Sequence, residues 1–161
     1  MILLIALAAI LAFGLVRSLR FAVCNVAYIL THPRAIKRSG GRLRAFYAYS
    51  TDLLALDSWI DGVFRYKSDK IDYASWPIVF SMKKWYGDCD DIASLVWAWA
   101  CKNNRHASYV SIKRPNHQVG HAVCLVKEGG VWSMVDSTGV VEFMGWGVHY
   151  PNCKIIVRKT R

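Results

Sequence analysis

Cys89 in GDCDD (87–91), His121 in GHAVCLV (120–126) and Asp136 in VWSMVDST (131–138) are the residue types that together make a thiol nucleophile. A cysteine attacks a carbonyl carbon as its thiolate. An imidazole takes the thiol proton, and a carboxylate orients that imidazole and favours its cationic form. The immediate surroundings of Cys89 oppose this chemistry, because Asp88, Asp90 and Asp91 flank it and neighbouring negative charge disfavours a thiolate. Two features counter them. CDDIASLVWAWACK (89–102) reads as a helix with Gly87 or Asp88 at its cap, so Cys89 falls in the first turn, beside free backbone N–H groups and a partial positive charge. The second feature is a cationic partner. Aspartate at a helix start is also an ordinary structural preference, and a cysteine at a helix start is by itself more often structural than catalytic.

The partner comes from strand register. If KEGG (127–130) is a four-residue loop, Val126 pairs with Val131, Ala122 faces Val135 and His121 faces Asp136. Directly opposed side chains share a face, with Cβ atoms about 4.5–5.5 Å apart, which suits a carboxylate orienting an imidazole.

The elements that must position these residues follow from periodicity. Residues 45–66 carry apolar side chains at helical spacing, and IVFSMKKWYG (78–87) suggests a short helix or turn. The 89–102 segment is apolar on every face from Ile92 to Cys101, which marks a buried helix ended by Asn103-Asn104. Strand patterns follow at 107–113, 121–127, 131–137, 140–144 and 154–159, with turns at RPNHQVG, KEGG and TG. Helices first and strands after predict an α+β domain with an antiparallel sheet.

GDCDDIASLVWAWACKNNRHASYVSI, then GHAVCLV, then GGVWSMVDST, resembles the transglutaminase-like superfamily in its order of Gly-x-Cys at a helix start, His-Ala heading a strand and a Trp strand ending in Asp. DYASWPIVFSMKKWYGDCDD further resembles bacterial transglutaminase-like cysteine proteinases, with an aromatic-Pro segment shortly before the cysteine motif. The resemblance covers about residues 60–140. It implies a papain/transglutaminase-like core, with the Cys-bearing helix packed on an antiparallel sheet, and a catalytic triad of Cys89, His121 and Asp136. It departs from the pattern at Asp90, where Glu is usual, and in the compact segment between Cys89 and His121. Relatives in the proteinase branch bind calcium beside the cysteine, and Asp88 and Asp91 match those acidic positions; helix capping is the plainer explanation, and the chemistry requires no cofactor or metal. The implied activity is hydrolysis of a peptide or amide bond in a protein or peptide substrate through an acyl-thioester. The alternatives are transamidation, with an amine as acceptor, and a catalytically silent interaction module. The Cys89 backbone N–H is one expected oxyanion donor. Lys83 stands where a papain-like Gln would supply the second, which leaves the indoles of Trp76 and Trp85 as candidates. His117 reads as a loop residue bordering the cleft, and His106 and His149 as structural or solvated.

Charge and hydropathy divide the chain. Residues 1–51 hold no Asp or Glu but carry Arg17, Arg20, Arg34, Lys37, Arg38, Arg42 and Arg44, +7 of the net +10. Residues 52–161 hold 14 basic and 11 acidic side chains, too balanced for a nucleic-acid surface, so no nucleic-acid partner is expected. MILLIALAAILAFGLV opens the chain without a charged side chain. As a helix it spans about 24 Å, so a tilted helix through about residue 30 is needed to approach a ~30 Å hydrocarbon core. A cleaved signal is the rival reading, but it wants positive charge before the apolar run. The expected organisation is a membrane anchor helix over 1–30, a basic linker over 31–44 lying against anionic headgroups, and the hydrolase domain over 45–161. The positive-inside bias puts that domain on the cytoplasmic side of a single-pass protein. Five scattered cysteines without a CxxC suggest neither a disulfide framework nor a zinc site, but one reactive thiol among inert ones.

Overall fold

The structure, a computed structural model, describes residues 19, 22–68, 74–115 and 120–160. Helix α1 (22–31) leads into α2 (Pro33–Tyr49) and α3 (Leu53–Val63). A short strand β1 (Arg65–Tyr66), helix α4 (Pro77–Met82) and strand β2 (Tyr86–Gly87) precede α5 (Cys89–Lys102). Strands β3 (Ala107–Lys113), β4 (His121–Glu128), β5 (Val131–Asp136) and β6 (Gly139–Glu142), a helical turn α6 (Trp146–His149) and β7 (Lys154–Thr160) complete the chain. The five long strands form one antiparallel sheet in the order β6-β5-β4-β3-β7, and β1 pairs in parallel with β2. This is the expected α+β arrangement, compatible with a papain-like fold.

The sheet works because its strands alternate. Ala122, Cys124 and Val126 of β4 and Val135 of β5 face α5, while Val123, Leu125 and Met134 face a second cluster with Trp132, Phe143, Trp146 and Ile155. Each large side chain buried this way contributes roughly 1.5–3 kcal/mol relative to exposure. Before Lys102, no residue of α5 is exposed, as expected for a helix apolar on every face. Trp99 is fully buried there, and its indole N–H donates to the Ser50 carbonyl at 2.6 Å, tying α5 to the end of α2. Helix α3 starts where Asp52 accepts the Ala55 N–H at 2.8 Å, and Asp57 then accepts the Val140 N–H at 2.7 Å, joining α3 to β6.

Two features differ from the sequence reading. The β4–β5 hairpin closes through Gly129-Gly130 alone, with φ of 59° and 88°, so Glu128 pairs with Val131 and Cys124 with Val135. Two successive positive φ values suit a tight primed turn that glycines adopt freely. The register therefore slips by two residues from the one read from KEGG. A two-residue slip keeps every side chain on its face, so His121 and Asp136 become diagonal rather than direct neighbours.

The stretch 31–44, read as a basic linker, is largely helical within α2, and a domain start at 45 falls inside that helix. Ser39 and Phe46 of α2 are buried, and a Cβ added at Gly40 or Gly41 would meet nothing within 4 Å, so the glycines sit on an open side. Asn25 of α1, also buried, donates to the Ala74 carbonyl at 3.2 Å and accepts the Trp76 N–H at 2.8 Å. Residues 1–18, most of the expected anchor, lie outside the described residues. Among the described residues no helix is long and apolar enough to cross a membrane, so the transmembrane-helix reading gains no support here.

Candidate functional site

Cys89 reaches its position through a strained turn. Lys84 and Trp85 both have left-handed backbones, with φ of 57° and 66°, a conformation that costs non-glycine residues about 1–2 kcal/mol each. Packing holds it. The Trp85 ring meets Trp59 and Phe80 edge-on at centroid distances of 5.0 and 5.5 Å, and the Trp85 backbone N–H donates to the Phe80 carbonyl. The turn delivers β2, whose pairing with β1 (Lys67 N–H to Gly87 carbonyl, 2.7 Å) fixes Gly87. Asp88 is the N-cap of α5 in extended conformation, and Cys89 is its first residue, half-buried against the main core.

His121 heads β4 and Asp136 ends β5, and the two side chains meet with His121 Nε2 at 3.1 Å from Asp136 Oδ2. Asp136 is held in turn by Thr138, whose hydroxyl and N–H donate to Oδ1 at 2.6 and 2.7 Å. With Nε2 committed to Asp136, Nδ1 is the nitrogen left to face the thiol. Burial alone would lower the His121 pKa. Hydrogen bonds to Asp136 and Cys89, with their charges, outweigh it and raise the value to about 9. Burial alone would raise that of Asp136; the bonds from His121 and Thr138 outweigh it and hold the carboxyl below its ordinary range. The structure thus brings together all three residues singled out in the sequence, with the imidazole cationic at neutral pH.

The acids beside Cys89 are resolved by two effects. Asp88, Asp90 and Asp91 cluster with one carboxylate oxygen of each within 4.8 Å of the others. Burial, a hydrogen bond with Asp88 and the charges of Asp88, Asp91 and Cys89 push Asp90 up to about 10, so Asp90 is a neutral acid at pH 7. Asp91 is fully buried; its Oδ1 accepts the Ser75 N–H at 2.6 Å and its Oδ2 lies 3.6 Å from the Lys83 ammonium. Fewer net charges therefore face the thiol than the sequence suggests. A Cβ at Gly87 would lie 2.2 Å from Asp91 Oδ2, so only glycine allows this approach. The partners of Asp91 show it working within the fold, and its ammonium neighbour does not favour a cation there.

Lys83 was noted in the sequence only as a missing Gln; its role as a counter-charge was not foreseen. Of the two indoles considered as oxyanion donors, Trp85 is buried in the aromatic core, while Trp76 is partly exposed. His117 lies outside the described residues. His149 packs on Phe143 with centroids 5.7 Å apart and hydrogen-bonds within its own loop, a structural role as expected. Tyr150 was not foreseen. Its ring is 5.9 Å from that of His121, and burial together with Asp136 and Cys89, opposed by Arg114, pushes its hydroxyl up to about 12. Exposed Tyr66 lies within electrostatic reach of Cys89, its hydroxyl raised by burial and then by the Cys89, Asp88 and Asp90 charges. No sequence spacing links either tyrosine to the triad.

A scan against protein-family models finds no match, and a search of curated proteins finds none. A search of solved structures finds the crystal structure of a proposed cysteine protease from Cytophaga hutchinsonii, with a TM-score of 0.46 and 18% identity over 76% of this chain. This chain spans 50% of that one. A likeness at that level assigns neither family nor activity.

Proposed function

We propose that the protein is a cysteine hydrolase that cleaves a peptide or amide bond through an acyl-thioester on Cys89. The observation that carries this reading is the meeting of Cys89, His121 and Asp136 at a helix start, with His121 raised to about 9 by its two partners. In the proposed reaction the Cys89 sulfur bonds the carbonyl carbon and the π electrons move to oxygen. The oxyanion takes a hydrogen bond from the Cys89 N–H, one of the first-turn donors that have no intrahelical acceptor. His121 then protonates the leaving amine as the C–N bond breaks, leaving the acyl-thioester. Neutral His121 next takes a proton from water, whose oxygen attacks the thioester, and returns one to the departing sulfur. Asp136 keeps the imidazole oriented throughout.

No cofactor enters this sequence. The apolar opening of the chain favours a membrane-tethered protein, and the arginines that follow favour a cytoplasmic domain.

Incubation with a proteome-derived peptide library, read by mass spectrometry with and without an added primary amine, tests the proposal. New termini that disappear in Cys89→Ala support hydrolysis, and amine adducts in their place mean transamidation. Neither product from the wild-type protein overturns the enzymatic reading in favour of an interaction module.

A further inference from the structure

The positive charge of the N-terminal segment is organised rather than spread along a joint. Arg34, Arg38 and Arg42 follow one another at four-residue intervals on α2, so they project from one side of the helix. Arg42 is fixed by its guanidinium, which donates to the Ser81 carbonyl at the end of α4 at 3.1 Å. The left-handed turn that leads to Cys89 brings in exposed Lys84. Together with His32 and Met82 these side chains line a groove of about 460 Å³.

The groove opens at the first turn of α2, a 17-residue helix with Pro33 in its first turn, no side-chain cap and no acidic residue there. Among the described residues no carboxylate lines the groove. Several like charges facing one space repel, and the Arg42 guanidinium is held there by its bond to the Ser81 carbonyl. Planar guanidinium groups in a row beside a helix start match the oxygens of a phosphate group.

We infer that this groove is a binding site for a phosphate group. The adjoining surface points to its source. Val23, Val26 and Leu30 of α1 are exposed, and their spacing of three and four residues places them in one stripe on that helix. An apolar stripe ending one turn before a cationic groove matches a segment lying at the surface of an anionic bilayer, with the stripe toward the acyl chains and the arginines on phospholipid headgroups. The phosphate chemistry is independent of Cys89; only the lipid source rests on the membrane tether proposed above.

The test uses the full chain carrying Cys89→Ala, purified in maltoside micelles. Calorimetry follows titration with inorganic phosphate and, separately, with micelles containing phosphatidic acid or uncharged diacylglycerol. The expected result is binding to phosphatidic acid micelles and not to diacylglycerol micelles. The affinity should fall at least tenfold in Arg34→Gln/Arg38→Gln and stay unchanged in Lys113→Gln/Lys154→Gln, which removes the same charge from the far edge of the sheet. Binding of inorganic phosphate with the same loss would support the site and make a soluble phosphate its source. Lys84→Gln, on a separate element, should weaken binding in the same direction and serves if the arginine variant loses its helical circular dichroism. Absence of binding to both phosphate and phosphatidic acid, or equal weakening in the groove and sheet-edge variants, overturns the inference.

Discussion

Asp136→Asn removes a charge that helps to keep His121 cationic while leaving an oxygen to accept its hydrogen bond. His121 stands at about 9 against an ordinary 6.5; burial, the largest effect, lowers the value, and the Asp136 hydrogen bond is the largest of the effects that raise it. A shift of that size corresponds to roughly 3 kcal/mol of preference for the cation at most. His121 keeps 18% of its side chain in solvent, so screening reduces the stability effect to roughly 1–2 kcal/mol. The sign follows from linkage. The raised histidine stabilises the fold fully below its unfolded value near 6.5, and that contribution fades as pH rises through 9. The lowered Asp136 contributes above the ordinary carboxylate value of 3.8, and its share is lost as pH falls through the folded value. The Asn variant should therefore be most destabilised between about pH 4 and 6.5 and approach the wild type near pH 9. Urea unfolding at several pH values measures this, and NMR titration of the His121 ring should show its pKa falling by more than one unit. A wild-type His121 that titrates near 6.5, or one that Asp136→Asn leaves unmoved, would refute the electrostatic account of the site.

Gly87→Ala should destabilise by roughly 2–4 kcal/mol in thermal unfolding, because its Cβ would displace the buried Asp91 carboxylate from the Ser75 amide and Lys83. Trp99→Phe should cost roughly 1–3 kcal/mol by urea unfolding, since it leaves the Ser50 carbonyl without its buried donor. A chelator should leave thiol reactivity and melting temperature unchanged, because Asp91 has protein partners and Asp90 carries a proton at neutral pH; a drop in either on chelation would reveal an ion among Asp88, Asp90 and Asp91.

The bounds of α5 were legible because apolar side chains on every face can only be buried, and Asp88 marks the start. The meeting of His121 and Asp136 was legible for a subtler reason. The assumed four-residue loop was wrong, but the error was an even number of residues, and sheet faces repeat every two. The Gly129-Gly130 pair carried the correct signal, because both residues adopt positive φ. Helix α2 was hidden by Gly40, Gly41 and a dense run of charge, all signs of a joint; only the packing of Ser39 and Phe46 reveals it. The neutral state of Asp90 and the pairing of Lys83 with Asp91 depend on burial and on contacts between elements, which no local pattern encodes. Tyr150 comes to His121 through the loop after β6, a distance in sequence that periodicity does not bridge.

The nucleophile itself is tested most directly by the rate of iodoacetamide alkylation at neutral pH, resolved by peptide mapping. Cys124 is fully buried and burial pushes its thiol far up, while Cys89 starts α5 with His121 as a side-chain partner. The account predicts one fast phase mapping to Cys89, abolished by Cys89→Ala and slowed at least tenfold by His121→Ala. A fast phase that maps to another cysteine, or that survives unchanged without His121, would contradict it.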